Sequence, residues 1–381
     1  MRSDIVIIGS GFAAYQVIKS LRRIGSGASI TVLTADSGDD YNKPDLSHAF
    51  SAKQSLDDLI VSSAAEFSNK YQVSVMSDHR VDRIDVEAKL VYANGHPFGY
   101  DKLVLATGAN TFKPAFVTKG LSKLYSLNNL EEFAQAKGAI DRSKTVSVIG
   151  GGLIGVELAL DLAKVGKKVT IIEPRPRLLA ALVPDYVESK LRRNLEQQDI
   201  DILTHESVES VDDQVDMQTL ALSSGRELSC DAALLCTGLV PNIELATQIG
   251  AKTDKGIVVN KGMQTSVSSV YAIGDCVELD GQVRAFLQPI VLSATVLAKN
   301  LAGQQATVTL PPMMIKVKTP SYPIQLAGTT VGERVDMWRF ESSRDGVVSK
   351  AYDQDSRLMG FVVTGKKVDQ AFPLLRELAS Q

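Results

Sequence analysis

The sequence predicts an α/β protein made of two successive units of doubly wound type and a smaller α+β tail. Three observations carry this. One plan, a β-branched strand, a glycine-rich turn, a helix and a later strand ending in Thr-Gly, occurs twice. The 381 residues exceed what a single core supports, so two to three domains are expected. From about residue 311 the pattern changes to short alternating segments punctuated by proline.

In the first copy, Ile5-Val6-Ile7-Ile8 enters Gly9-Ser10-Gly11-Phe12-Ala13-Ala14, and Leu103-Val104-Leu105-Ala106-Thr107-Gly108 closes the unit. In the second, Thr145-Val146-Ser147-Val148-Ile149 enters Gly150-Gly151-Gly152-Leu153-Ile154-Gly155, and Leu234-Leu235-Cys236-Thr237-Gly238 closes it. Gly256-Ile257-Val258-Val259 and Val270-Tyr271-Ala272-Ile273 read as strands in need of a sheet, and about Val291 to Ala302 reads as a helix. In the tail, Met314–Lys318 and Gly346–Ala351 read as strands flanking a loop at Pro320 and Pro323, and Val368–Ala379 as an amphipathic helix.

Composition excludes several classes. A hydrophobic fraction of 44% and a charged fraction of 22% match neither disorder nor a fibrous repeat. With a net charge of -3 and scattered Lys and Arg, no face-wide nucleic-acid footprint is expected. Cys230, Cys236 and Cys276 are odd in number and lack C-x-x-C spacing, which disfavours a disulfide framework or a metal site and fits a reducing compartment. The first apolar run stops at Gly9 and reads as a strand rather than a leader. No run approaches the ~18 apolar residues of a spanning helix, so a cytoplasmic location without membrane association is expected.

The glycine turns point to dinucleotides. In G-x-G-x-x-G the first glycine makes the tight turn, the second lets a pyrophosphate approach the backbone, and the third lets helix and strand pack closely. The pyrophosphate then meets the free N-H groups and positive dipole end of the helix. On this reading Gly9, Gly11, Phe12, Ala13 and Ala14 line one site, and Gly150, Gly152, Leu153, Ile154 and Gly155 another. Both are Rossmann-like. An acidic residue about 20 positions on should accept from an adenosine ribose hydroxyl. Glu173, ending Val169-Thr170-Ile171-Ile172, fits that role and favours NADH over NADPH, although Arg175 and Arg177 stand nearby. In the first unit Asp36 of Thr34-Ala35-Asp36 reads as a ribose ligand displaced from the expected position, or nearly as well as a turn aspartate.

These features, with Tyr41-Asn42-Lys43-Pro44-Asp45-Leu46-Ser47 and the run from Thr265-Ser266 to Gly274-Asp275, resemble the pyridine nucleotide-disulfide oxidoreductase family along nearly the whole chain. The likeness is to its members that reduce ferredoxins and rubredoxins. The resemblance implies that FAD occupies the first unit, residues 1–111 and 239–311, and that NADH visits the second, residues 112–238, inserted into it, with 312–381 a C-terminal α+β domain. It implies roles at the cofactors for both strand ends, Thr107-Gly108 and Thr237-Gly238, and makes Asp275 of Gly274-Asp275 a ligand of a ribityl hydroxyl.

Phe286-Leu287-Gln288-Pro289-Ile290 and Lys316-Val317-Lys318-Thr319-Pro320 strengthen the likeness to the rubredoxin-reducing members. They imply a monomeric enzyme feeding a rubredoxin or the rubredoxin domain of a flavorubredoxin in nitric oxide detoxification. A ferredoxin of an oxygenase system or oxygen itself are alternative acceptors, and a non-catalytic flavin sensor is a third reading.

Further roles follow from the resemblance. Disulfide reductases of the family carry cysteine in the segment after the first unit's opening. Tyr41–Phe50 has none, so electrons should leave the flavin edge directly. Lys43 is the candidate cation beside the flavin, with Pro44 shaping its loop, and Glu157 the candidate near the nicotinamide; a solvated loop lysine and an ordinary helix glutamate are the plain alternatives. A helix entered through Gln288-Pro289 would aim its N-terminus at the flavin pyrimidine, with Lys318 adding a cation or standing as an exposed strand lysine. Where relatives often carry lysine this chain has His48, which puts a Lys-Glu pair to Glu157 in question; it reads as a pH-sensitive substitute or, in preference, as a packed loop histidine. Rubredoxin-like domains are expected to be acidic, so Lys43, Lys316, Lys318 and Arg284 form a candidate basic rim.

Overall fold

A computed structural model of the chain describes residues 1–116, 123–213 and 217–380. By internal contacts it divides into two units, each discontinuous in sequence. The first comprises Met1–Lys43, Leu56–Asn110 and Leu239–Leu310; the second comprises Pro44–Ser55, Thr111–Gly238 and Pro311–Gln381.

The first unit is built on one sheet. Strands Ser74–Met76, Ile30–Leu33, Arg2–Ile8 and His96–Leu105 lie side by side in parallel. The Ile5 to Ile8 and Leu103 to Leu105 runs are buried throughout, as a parallel sheet covered on both faces demands. Strand His96–Leu105 serves two neighbours. Its first half pairs antiparallel with Leu90–Ala93, while Leu103, Val104 and Leu105 pair in parallel with Val270–Ala272. The sheet is thus completed by a strand that arrives after an excursion of over a hundred residues. Ile257–Val259 does not join this sheet; it forms a separate three-stranded one with Val277–Leu279 and Gln282–Val283. The helix expected near Val291 begins earlier and spans Leu287–Leu301, with Gln288 and Pro289 in its first turn, where a missing N-H costs nothing.

The second unit repeats the parallel plan in the order Leu124–Tyr125, Ala232–Leu235, Thr145–Ile149, Lys168–Glu173, Ile200–Thr204. It also holds the tail, a five-stranded antiparallel sheet ordered Ile315–Val317, Ile324–Gly328, Leu358–Thr364, Gly346–Tyr352, Met337–Ser343. Phe361, Leu374 and Leu378 share its apolar core. The last helix spans Ala371–Ala379 rather than starting at Val368, because Gly365–Gln370 forms a 3-10 turn first. Pro373 explains the start: its ring cannot follow a full helical turn, so it sits in the first one.

Candidate functional site

In each unit the strand, turn and helix fall where the motif requires, and the glycines separate into two kinds. Gly9 has φ +105° and Gly150 φ +114°, and a Cβ on either would overlap the carbonyl oxygen of Ala106 or Cys236 on the adjoining strand. The protein itself therefore demands glycine at both. Gly11 and Gly152 have extended backbone, φ -67° and -75°, and a Cβ on either would meet nothing within 4 Å. Among the described residues no atom requires glycine there. Both are also N-caps without a side-chain hydrogen bond, so the first N-H groups of helices Phe12–Arg23 and Leu153–Lys164 lack the usual side-chain acceptor. A bare backbone, open space and uncapped donors fit the approach of a pyrophosphate.

Each acidic partner is tied to the middle of its glycine turn. Glu173 is buried; its Oε2 accepts from Gly151 N at 2.6 Å and its Oε1 from Arg175 N at 2.9 Å. A carboxylate offers about four lone-pair positions, so acceptors remain for a ribose hydroxyl. Asp36 is exposed, and its Oδ1 accepts from Ser10 Oγ (2.8 Å), Thr34 Oγ1 (2.6 Å) and Gly38 N (3.0 Å). Ser10 stands where Gly151 stands in the other unit, so Asp36 is bonded to the middle residue of its own turn.

The first unit gathers its other candidates too. Gly274, φ +93°, packs so closely on the start of helix Phe12–Arg23 that a Cβ would lie 2.8 Å from Ala13 Cβ. This brings Asp275 to Lys43, with Nζ and Oδ2 3.6 Å apart. Thr107 donates to Asn242 O and Asn242 Nδ2 donates to Thr107 O, both at 2.8 Å, while Asn242 N donates to Gly108 O at 3.0 Å. Asn242 was invisible to motif reading because a lone asparagine carries no pattern. Helix Leu287–Leu301 has no side-chain N-cap, and Gln288 is exposed while Pro289 is buried. In the second unit Thr237 donates to Phe112 O, and Phe112 N donates to Gly238 O at 2.9 Å.

Glu157 is the centre of the second unit's polar cluster. Only 2% exposed, it accepts from Ser47 Oγ at 3.0 Å through Oε2 and from Lys318 N at 2.9 Å through Oε1. Lys318 Nζ donates to Pro44 O at 2.7 Å. Lys318 is therefore neither a free cation nor an exposed strand lysine, because its ammonium secures the Pro44 carbonyl. His48 is packed as expected, yet polar in its surroundings, with Nε2 3.8 Å from Glu157 Oε2 and Nδ1 4.0 Å from Asp161 Oδ1. Burial, then the Lys318 charge, hold its pKa below the ordinary value, against the pull of Glu157, Asp161 and Asp45.

Of the four residues of the candidate basic rim, Lys316 is exposed, Arg284 donates to Leu279 O at 3.2 Å, Lys43 faces Asp275, and Lys318 is committed to Pro44. The cysteines are free thiols. Burial raises the pKa of Cys230 and Cys276 and pushes that of Cys236 up to about 12, so none is a thiolate at neutral pH. Among the described residues no helix is long and apolar enough to cross a membrane, and no cluster of His, Cys, Asp or Glu is arranged to hold a metal ion.

Two glycine turns of this build, each opening an uncapped helix and each bonded to an acidic residue at or just past the end of the following strand, define the two-dinucleotide-fold oxidoreductases. Residues 3–297 match the family model described as pyridine nucleotide-disulphide oxidoreductase, and residues 307–378 match that of the rubredoxin binding C-terminal domain. The chain belongs to the pyridine nucleotide-disulphide oxidoreductase family. It is 48% identical over 381 residues, covering 100% of this chain and 99% of the relative, to a Vibrio vulnificus protein named nitric oxide reductase FlRd-NAD(+) reductase. In structure it is similar to a ferredoxin reductase of Rhodopseudomonas palustris, with TM-score 0.89 and 25% identity over 99% of this chain and 95% of the other. It also shares its fold with the NADH:rubredoxin oxidoreductase of Clostridium acetobutylicum, at TM-score 0.84 and 20% identity over 100% and 96% of the two chains.

Proposed function

We propose that this chain oxidises NADH and passes the electrons, by way of FAD held in the first unit, to the rubredoxin-type iron centre of a flavorubredoxin in nitric oxide detoxification. The observation that carries the reading is the match of residues 307–378 to a rubredoxin binding domain, on a chain 48% identical along its whole length to a relative named nitric oxide reductase FlRd-NAD(+) reductase. On this reading residues 1–111 and 239–311 hold the flavin, 112–238 receive the coenzyme, and 312–381 meet the acceptor. The enzyme acts as a monomer in the cytoplasm, where three unpaired cysteines are at home.

Bound FAD supplies the exchange between a two-electron hydride donor and a one-electron iron acceptor. The chain supplies binding and electrostatics. The N-H groups behind Gly11 and Gly152 receive the two pyrophosphates, and the carboxylates of Asp36 and Glu173 accept from the adenosine riboses. Asp275 accepts from the ribityl chain while pairing with Lys43, whose charge stands on the flavin side. Glu157, through Ser47 and Lys318, sets the segment that follows Lys43. Tyr41–Phe50 carries no cysteine to relay electrons, so the acceptor takes them from the flavin directly.

Anaerobic stopped-flow tests the whole reading. The purified protein should carry flavin, NADH should bleach it faster than NADPH, and the reduced protein should reoxidise rapidly with rubredoxin and slowly with a [2Fe-2S] ferredoxin. Preference for the ferredoxin would replace the acceptor with that of an oxygenase system, and failure to bind flavin would end the proposal. Lys316→Glu should lower the on-rate for an acidic acceptor and flatten its salt dependence.

A further inference from the structure

Helix Leu153–Lys164 carries two buried carboxylates one turn apart, Glu157 and Asp161. Like charges at i and i+4 weaken a helix, and a buried carboxylate is costly unless donors satisfy it. Asp161, 4% exposed, has its donors on the strap Pro44–Ser55: Phe50 N and Ser51 N both donate to its Oδ2 at 3.1 Å. The strap is fixed at other points too. Ser47 reaches Glu157, Lys318 holds Pro44 O, and Phe50 packs its ring 5.5 Å from that of Phe133. Any slack in the strap is therefore felt at Ser47, and through the Ser47 hydrogen bond at Glu157.

We propose that Asp161 is a positioning residue for NADH oxidation, anchoring the strap Pro44–Ser55 and, through Ser47 of that strap, the side chain of Glu157, with an uncharged His48 as a condition of the docked strap. The proposal rests on the flavin-reductase reading above.

The geometry supplies the condition on His48. Its Nε2 is buried and among the described residues has no hydrogen-bond partner, Glu157 Oε2 being 3.8 Å away. The charged groups facing the ring are Glu157 and Asp161 from the helix, Lys318 from the C-terminal sheet and Asp45 on the strap itself. A protonated Nε2 would bury a charged N-H without an acceptor in reach, and Lys318 would oppose it. The docked strap lowers the imidazole pKa, so docking is complete above the free-histidine value of about 6.5 and weakens as pH falls through it.

The test uses the flavin-loaded protein and the variants Asp161→Ala, Asp161→Asn and His48→Gln, each followed from about pH 5.5 to 8. Amide hydrogen exchange reads the strap, and stopped-flow bleaching by NADH reads the reaction. In Asp161→Ala the amides of Phe50 and Ser51 should exchange at least tenfold faster. Its maximal bleaching rate should fall about ten- to a hundredfold, the cost of an ångström-scale misplacement, with half-saturation by NADH changed less than about threefold. Asp161→Asn keeps an acceptor oxygen but no charge. It should retain much of the strap protection and shift the acid limb of the rate to lower pH, since the Asp161 charge raises the His48 pKa. His48→Gln should remove that limb.

Unchanged strap exchange in Asp161→Ala, or an acid limb unmoved in both Asp161→Asn and His48→Gln, would overturn the assignment. Should Asp161→Ala fail to fold, the Asp161→Asn and His48→Gln limbs decide alone. A wild-type flavin that NADH does not bleach would defeat the reductase reading instead, while the exchange experiment would still report on the anchor.

Discussion

Replacing Glu173 by glutamine separates what this carboxylate does for its turn from what it does for coenzyme choice. Both of its oxygens accept from backbone N-H groups, Gly151 N at 2.6 Å and Arg175 N at 2.9 Å, and the residue is 8% exposed. Glutamine has one acceptor oxygen, so one N-H would face an NH2 group instead. Leaving such a buried donor unsatisfied costs about 1–3 kcal/mol, which in a unit of this size lowers the melting temperature by several degrees. The same change removes the negative charge that opposes a 2'-phosphate, while the neighbouring Arg175 is exposed and able to attract one. A partly screened charge contact of this kind is worth about 1.4–2 kcal/mol, so the NADH-to-NADPH ratio of kcat/KM should fall roughly ten- to thirtyfold. Thermal unfolding without coenzyme and initial rates with each coenzyme measure the two effects. In the double variant with Arg175→Ala the gain in NADPH use should vanish. A Glu173→Gln protein that kept both its melting temperature and its coenzyme ratio within about twofold would refute this account of the carboxylate.

Three further outcomes are expected. Gly9→Ala should abolish flavin retention, because at φ +105° the new Cβ would overlap Ala106 O; a purified variant with a full visible flavin spectrum would contradict this. Cys230, Cys236 and Cys276 should resist iodoacetamide in the native protein at pH 8 and react only after unfolding, since burial raises all three thiol pKa values, that of Cys236 to about 12. The N-H groups of Thr145 and Lys144 donate to Asp231 at 2.8 and 2.7 Å and hold its pKa below the usual carboxylate value. Its contribution is therefore present above about pH 4 and lost as pH falls through the lowered folded value. Asp231→Asn should destabilise the second unit at neutral pH and show a smaller further loss in acid, read by unfolding at several pH values.

Much of the fold could be read along the chain because its signals are local. Strand Arg2–Ile8 runs straight into a turn whose first glycine must take positive φ, and Thr145–Ile149 does the same, so periodicity and one steric rule locate strand, turn and helix in both units. Glu173 was readable for the same reason, as an acidic residue at a strand end a set distance from the turn. The helix at the end of the chain was placed three residues early because the 3-10 turn Gly365–Gln370 has the polar and apolar alternation of a helix but not its hydrogen bonds.

What the sequence by itself determined, then, is the pair of dinucleotide folds, their glycine turns and the acidic residues that follow at a set distance. Tertiary structure alone decided that Asp161 grips Phe50 and Ser51 from 111 and 110 residues away, that Lys318 meets Glu157 across 161 positions, and that Asn242 clasps Thr107 across 135. A buried charge or amide must find donors wherever the folded chain brings them. No repeat distance in the sequence records which segments those are, because the partners are chosen by the packing of sheets and helices rather than by their spacing along the backbone.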